Sequence, residues 1–287
     1  MVKVNSYAKL NLSLDILGKR EDGYHLLDMV MLSVSLSDTI EFRQNSSLKI
    51  EIVSNSSSIP LDESNLIFKA AKALADYCHV KEYGLKISID KNIPTEAGLG
   101  GGSANAASTL IALRKLWELN VTDDELAEIG LKIGADVPFC LQGGIARVKG
   151  IGEEIYRISA FLDCYFVIVL PSGGISTKTA FRQIDEKSCY ARPSTDNLVL
   201  AIEEKSISNV ASLLCNVFET SGVSTSSKEP IELLIENKAL GASLTGTGSA
   251  VFGIFRNEKE AKNCVANIKN RYTCWIATPY NSGTDFY

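Results

Sequence analysis

Pro94-Thr95-Glu96-Ala97-Gly98-Leu99-Gly100-Gly101-Gly102-Ser103-Ala104 places four glycines in five positions, between a run that reads as a strand and one that reads as a helix. Glycines let a backbone approach a ligand closely and adopt positive φ. A helix start presents unpaired N–H groups and the positive end of its dipole. Together these make a site for an anion, most often phosphate. The alternative is a flexible loop or tight turn. Two familiar phosphate motifs fail. No lysine lies in the loop, as a P-loop requires, and Ser103 stands where the dinucleotide fingerprint needs a third Gly or Ala.

Asp136 lies in Gly134-Ala135-Asp136-Val137-Pro138-Phe139. Gly134 should end a helix, and Pro138 disfavours the α conformation at Val137. A carboxylate at such a kink among apolar neighbours is either a helix cap or a catalytic group. In Ser6-Tyr7-Ala8-Lys9-Leu10-Asn11-Leu12, alternation puts Lys9 and Asn11 on one strand face. Alone, such a lysine reads as solvated or as an edge blocker. Thr245-Gly246-Thr247-Gly248-Ser249-Ala250 precedes another strand, as a second backbone cradle or, more simply, a tight turn. There is no Gly-x-Ser-x-Gly elbow and no His-Glu-x-x-His helix, and neither His25 nor His79 has a serine context that supports a triad.

The elements that must position these groups follow from periodicity. Val4–Leu17 alternates and predicts a strand, followed by a loop at Gly18–Gly23. Further strands are expected over 29–40, 48–53 and 85–90. A helix begins after Ser64, and Ala104–Leu119 is rich in Ala and Leu. Thr122 and Glu125 form a capping box for a helix ending at Gly134. After Gly152 the texture changes. Cys164–Leu170 reads as a buried strand. Helices are expected over 179–185, 197–205, 210–218 and 230–237, with strands over 251–255 and 272–278. Strands and helices without strict alternation predict an α+β fold. A soft boundary near Glu154–Arg157 divides the chain into 1–156 and 157–287.

The 287 residues, 45% hydrophobic and 22% charged, suffice for one large domain or two intimate ones. A net charge of −5 and the absence of any basic run with aromatics speak against nucleic-acid binding. Seven cysteines form no Cys-x-x-Cys pair, which fits reduced thiols in a cytoplasmic protein rather than a disulfide framework or zinc site. No apolar run is long enough to span a membrane.

Taken in order, these segments resemble the GHMP kinase superfamily. Pro94 to Ser103 matches its Pro-x-x-x-Gly-Leu-Gly-x-x-Ser phosphate loop. Ala8-Lys9-Leu10-Asn11-Leu12, Gly18-Lys19-Arg20-Glu21-Asp22-Gly23-Tyr24-His25 and Gly134–Phe139 resemble one branch, the 4-diphosphocytidyl-2-C-methylerythritol kinases, nearly end to end. Tyr7, Ala104 and Thr247 depart mildly from that pattern. The resemblance implies a ribosomal-protein-S5-like N-terminal domain, a ferredoxin-like C-terminal domain and a cleft between them. It implies ATP with Mg²⁺, a catalytic pair Lys9 and Asp136, and ATP held by residues 94–104. It further implies phosphorylation of the 2-hydroxyl of a cytidine-diphosphate-linked methylerythritol, in the non-mevalonate route to isoprenoid precursors. Tyr24 and His25 would hold the cytosine, with Asn11 beside Lys9. Phe181 is a second pocket wall or a core aromatic. The metal's protein ligands are undetermined beyond Ser103 as a candidate. Rivals are another GHMP kinase of homoserine or mevalonate type, and a nucleotide-binding regulator without activity.

Overall fold

A computed structural model describes residues 1–81 and 83–287. Two long strands organise the first part of the molecule. The alternating N-terminal sequence forms β1 (Val2–Lys19), which pairs antiparallel with β2 (His25–Gln44). The register breaks between Tyr7 and Lys9 and between Asn11 and Ser13. Such bulges bend a strand and re-aim its side chains, here on either side of Lys9 and Asn11. β3 (Ile50–Ser54) and β4 (Leu85–Asp90) extend the sheet in the order β1-β2-β4-β3, while β5 (Ile145–Gly150) and β6 (Glu154–Arg157) branch from β2.

Four helices accompany this sheet. α1 (Leu66–Tyr77) is capped by the Asn65 side chain. α2 (Gly101–Leu116) starts three residues earlier than its Ala- and Leu-rich stretch predicts, because Gly100 takes a left-handed conformation (φ 68°) and turns the chain directly into the helix. α3 (Asp123–Ile133) carries the expected capping box of Thr122 and Glu125 and ends at Gly134. α4 (Val137–Gln142) was not expected. Val137 is its first residue and Pro138 its second, so the bias of Pro138 against an α conformation at Val137 is overridden. Proline is tolerated in a first turn, where its missing N–H would be unpaired anyway.

The second part is built on a four-stranded antiparallel sheet. It comprises β7 (Tyr165–Leu170), β9 (Gly241–Leu244), β10 (Val251–Phe255) and β11 (Thr273–Ala277), in the order β11-β7-β10-β9. Between β7 and β9 run α5 (Thr177–Ile184), α6 (Thr195–Glu203), α7 (Ile207–Ser212), the short strand β8 (Cys215–Asn216), α8 (Val217–Thr220) and α9 (Lys228–Glu236). The helix expected over 210–218 is broken there because β8 leaves the helical path to pair in parallel with Ser13 and Leu14 of β1. α10 (Glu258–Ile268) connects β10 to β11, and β12 (Thr284–Phe286) returns to pair with Val4–Ser6. The two sheets meet through apolar side chains of β1 and β2 on one side and of β7 and β10 on the other. One apolar cluster, containing Leu10, Leu12, Val34, Phe166, Ile168 and Phe252, draws on both.

Candidate active site

β1 supplies the floor. The Lys9 side chain is buried, and its ammonium donates a 2.6 Å hydrogen bond to Oδ1 of Asn11. The same ammonium lies 3.6 Å from Oδ2 of Asp136. Asp136 occupies the cap position of α4, yet its side chain makes no capping hydrogen bond and stays about one-third exposed. The capping role left open by the sequence is not the one adopted.

The glycine loop forms the wall above. The Lys9 N–H donates to the Leu99 carbonyl (3.0 Å). A Cβ on Gly100 would lie 2.9 Å from Cγ of Lys9, so only glycine lets the loop close over the lysine stem. Pro94 to Ser103 all line one cavity with Lys9, Asn11 and Asp136, whose volume is about 1150 Å³. Ala104 is fully buried and is not part of that wall. The first turn of α2 opens toward the cavity through Gly101, Gly102 and Ser103.

The later glycine turn belongs to the site. The Gly246 N–H donates to Oδ1 of Asn11 (3.0 Å), and Oγ1 of Thr245 accepts from the Asn11 N–H (3.1 Å) while donating to the Gly98 carbonyl (3.1 Å). The Asn216 amide, fully buried, donates to the carbonyls of Leu244 and Gly246. Gly246 and Thr247 face the cavity. This segment is thus a built contact with the glycine loop rather than a free turn. Its sequence signal was the repeated glycines; its partner was invisible without the fold.

At the far end of the cavity stand Tyr24, His25 and Phe181. The rings of His25 and Phe181 are 4.7 Å apart at a 32° tilt, and Phe181 meets Phe218 edge-on at 5.1 Å. A planar base between two rings needs roughly 7 Å, two van der Waals contacts. A base therefore cannot lie between His25 and Phe181; Tyr24, 60% exposed, offers the open ring face. Asp185, which sequence reasoning missed, accepts from Lys19 (2.6 Å) and pairs with Nε2 of His25 (2.6 Å). Burial works to raise its pKa, but these hydrogen bonds outweigh it and hold the carboxyl below the usual range. Lys91 was also missed. It lines the cavity and is paired with Asp38, a fully buried carboxylate that also accepts from the N–H groups of Asn92 and Ile93.

Among the described residues no group of three or more His, Cys, Asp or Glu side chains could hold a metal. Mg²⁺ bound chiefly through phosphate oxygens and water needs only one or two protein ligands. Two groups fit that demand. Oδ1 of Asn105 is buried, without a hydrogen-bond partner, in a residue that lines the cavity, and Ser103 lines the same wall.

Two family profiles match the chain: "GHMP kinases N terminal domain" over residues 65–144 and "GHMP kinases C terminal" over residues 199–274. The chain belongs to the GHMP kinase family. This GHMP kinase is 44% identical to the 4-diphosphocytidyl-2-C-methyl-D-erythritol kinase of Clostridium novyi (strain NT), over 93% of this chain and 95% of that protein. It is 43% identical to the enzyme of that name from Clostridium tetani (strain Massachusetts / E88), over 94% and 97%. The crystal structure of a 4-(cytidine 5'-diphospho)-2C-methyl-D-erythritol kinase superposes with a TM-score of 0.82 at 27% identity, covering 96% of this chain and 98% of that one. The α+β architecture expected from the sequence is that of these kinases.

Proposed function

We propose that this GHMP kinase transfers the γ-phosphoryl group of ATP to the 2-hydroxyl of 4-diphosphocytidyl-2-C-methyl-D-erythritol. The observation that carries the reading is the Lys9–Asp136 pair, 3.6 Å apart on the floor of a cavity roofed by the glycine loop. The printed names of the relatives support the choice of acceptor. So does the far end of the cavity, where the branch's Lys-Arg-x-Asp-Gly-Tyr-His string supplies Tyr24 and His25 and α5 supplies Phe181.

Phosphoryl transfer is mostly positioning and charge stabilisation. The Gly98–Ser103 backbone and the start of α2 hold the phosphates. The acceptor oxygen attacks the γ-phosphorus in line, the bond to the β,γ-bridging oxygen breaks, and ADP leaves with that electron pair. The hydroxyl proton passes to the Asp136 carboxylate, which is uncapped and open to the cavity. The Lys9 ammonium lies beside that carboxylate and polarises the hydroxyl, while Asn11 fixes the ammonium. Ser103 and Asn105 would hold Mg²⁺, whose role is to neutralise phosphate charge. Residues 1–156 carry the phosphate loop and the pair, and residues 157–287 complete the cavity through Phe181 at the acceptor end and the Gly246 turn against the glycine loop.

Among the described residues no helix is long and apolar enough to cross a membrane, and the cysteines are all free. Free thiols are what a reducing cytoplasm maintains, and the proposed acceptor is a small molecule. An ADP-release assay with Mg²⁺ should show turnover with 4-diphosphocytidyl-2-C-methylerythritol and none with homoserine, mevalonate or galactose. Turnover confined to one of the latter would refute the acceptor assignment and leave the kinase chemistry standing.

A further inference from the structure

The β1–β2 ladder is broken beside Lys9. Its register passes from Tyr7 opposite Ser37 to Lys9 opposite Ser33, so Ala8 alone stands against Val34, Ser35 and Leu36. Backbone groups at such a break need partners from elsewhere. The chain beyond β11 supplies them. The Tyr280 N–H donates to the Ser33 carbonyl (2.8 Å), the Ser35 N–H to the Thr278 carbonyl (2.9 Å) and the Tyr7 N–H to the Gly283 carbonyl (3.1 Å). This C-terminal tail is anchored on both sides of Gly283. The rings of Tyr7 and Tyr280 stack with centroids 4.0 Å apart, and both hydroxyls donate to Oδ2 of Asp285. Oγ1 of Thr284 shares a 2.6 Å hydrogen bond with Oγ of Ser108 in α2.

Gly283 is buried and touches two elements at once. Its carbonyl holds β1 at Tyr7, two places before Lys9. Its Cα lies against α4. A Cβ there would overlap the Cys140 carbonyl oxygen, and a Cβ on Gly143, just past α4, would overlap the Gly283 nitrogen. The Cys140 N–H in turn donates to the Asp136 carbonyl (3.0 Å). Gly283 does not take a positive φ, so what glycine supplies at this position is the missing Cβ and not a special backbone conformation. One bare residue therefore fills the seam between the strand that carries Lys9 and the helical turn that carries Asp136.

The geometry points to Gly283 as a positioning residue, a spacer between β1 and α4 that sets the separation of the Lys9 ammonium and the Asp136 carboxylate at 3.6 Å. The inference rests on the reading above that this pair performs the transfer, and it adds what holds the pair in register. Because the tail is anchored on both sides, a side chain at 283 must push α4 away from β1. About 1 Å of misplacement from a distant change can cost about 10²-fold in rate. The glycine loop is outside this path: it is joined to β1 through the Lys9 N–H and the Leu99 carbonyl, and to the later turn through Thr245. Widening the seam should therefore spare the binding of ATP and cost the chemical step.

Gly283→Ala should lower kcat by about 10- to 100-fold, with the Kd of ATP, read by calorimetry, within about threefold of wild type. Tyr280→Phe removes one anchor of the same tail and adds no atom at the seam, so its kcat should stay within about twofold. A double-mutant cycle separates spacing from simple loosening. In an Asp136→Asn background the pair is already broken, and Gly283→Ala should then cost no more than about a further twofold in single-turnover rate. If Gly283→Ala does not fold, the same cycle is run with a chain ending at Ser282, which removes the spacer outright and should show the same non-additivity. Wild-type kcat in Gly283→Ala, an equal loss in both backgrounds, or a Tyr280→Phe protein as slow as Gly283→Ala would overturn the inference while leaving the catalytic pair intact. Full turnover in Asp136→Asn alone would overturn the reading of the pair and this inference with it.

Discussion

The ammonium of Lys9 and the carboxylate of Asp136 lie 3.6 Å apart, the first buried in the sheet and the second open to the cavity. β1 brings the lysine up from the floor, and the start of α4 lowers the aspartate from the side. Because the aspartate spends nothing on capping, its oxygens remain available to an acceptor hydroxyl. Asp136→Asn should lower kcat by about 10²–10⁴-fold, with ATP affinity changed by no more than a few-fold. Single-turnover kinetics and ATP calorimetry check both halves; a variant within tenfold of wild-type turnover would remove Asp136 from the reaction.

Gly98 is the joint between the two glycine segments. A Cβ there would meet the Thr245 carbonyl oxygen at 2.1 Å, and its φ is 76°. Both facts exclude alanine without movement of the loop. Gly98→Ala should cost about 2 kcal/mol or more in urea unfolding and weaken ATP binding about tenfold or more. Full affinity in a stable variant would mean that the loop is not locked to the Thr245 turn.

Glu219 supports that turn from behind, accepting from Oγ of Ser243 and the Leu244 N–H, both at 2.9 Å. Burial raises its pKa, and the two hydrogen bonds only partly offset this. A carboxyl with a raised folded pKa contributes stability that is complete below its unfolded value and is lost as pH rises through the folded one. Glu219→Gln, which cannot ionise, should therefore be more stable than wild type at pH 8 and no more stable at pH 4. Unfolding curves at the two pH values test the sign; equal differences at both would show that Glu219 does not titrate with folding.

Tyr24 and Phe181 should respond differently to truncation. Tyr24 is mostly exposed, so Tyr24→Ala should leave stability within about 0.5 kcal/mol while raising the acceptor KM several-fold. Phe181 packs against both His25 and Phe218, so Phe181→Ala should cost about 2 kcal/mol of stability as well as affinity. Paired melting and KM measurements separate the two. A Phe181→Ala protein of unchanged stability would make that ring a pure ligand contact.

Much of the molecule was legible in the residues. Alternation gave β1 and β4, the Thr122–Glu125 pair gave the start of α3, and the apolar run before Pro171 gave β7. These signals are local, and local hydrogen bonding and burial settle them. In the second half, a distant partner overrode a local signal. The helix expected through 210–218 gave way to β8 because Cys215 and Asn216 pair with β1, and β12 forms because β1 offers it an edge.

The same division holds at the site. By itself the sequence marked the glycine loop as a candidate phosphate site, since glycines before a helix carry their chemistry in their backbone, and it left Asp136 with two alternative roles, while Lys9 gained notice only through the family resemblance. Only the tertiary structure showed that the Asp136 side chain makes no capping hydrogen bond and that it lies beside a buried ammonium. It alone made the Thr245–Gly248 turn part of the site and joined Asp185 to His25. Hydrogen bonds between residues far apart in the chain have no periodicity and no neighbour signal. They exist only once the two sheets have packed against each other, which is why folding, and not spacing, chooses them.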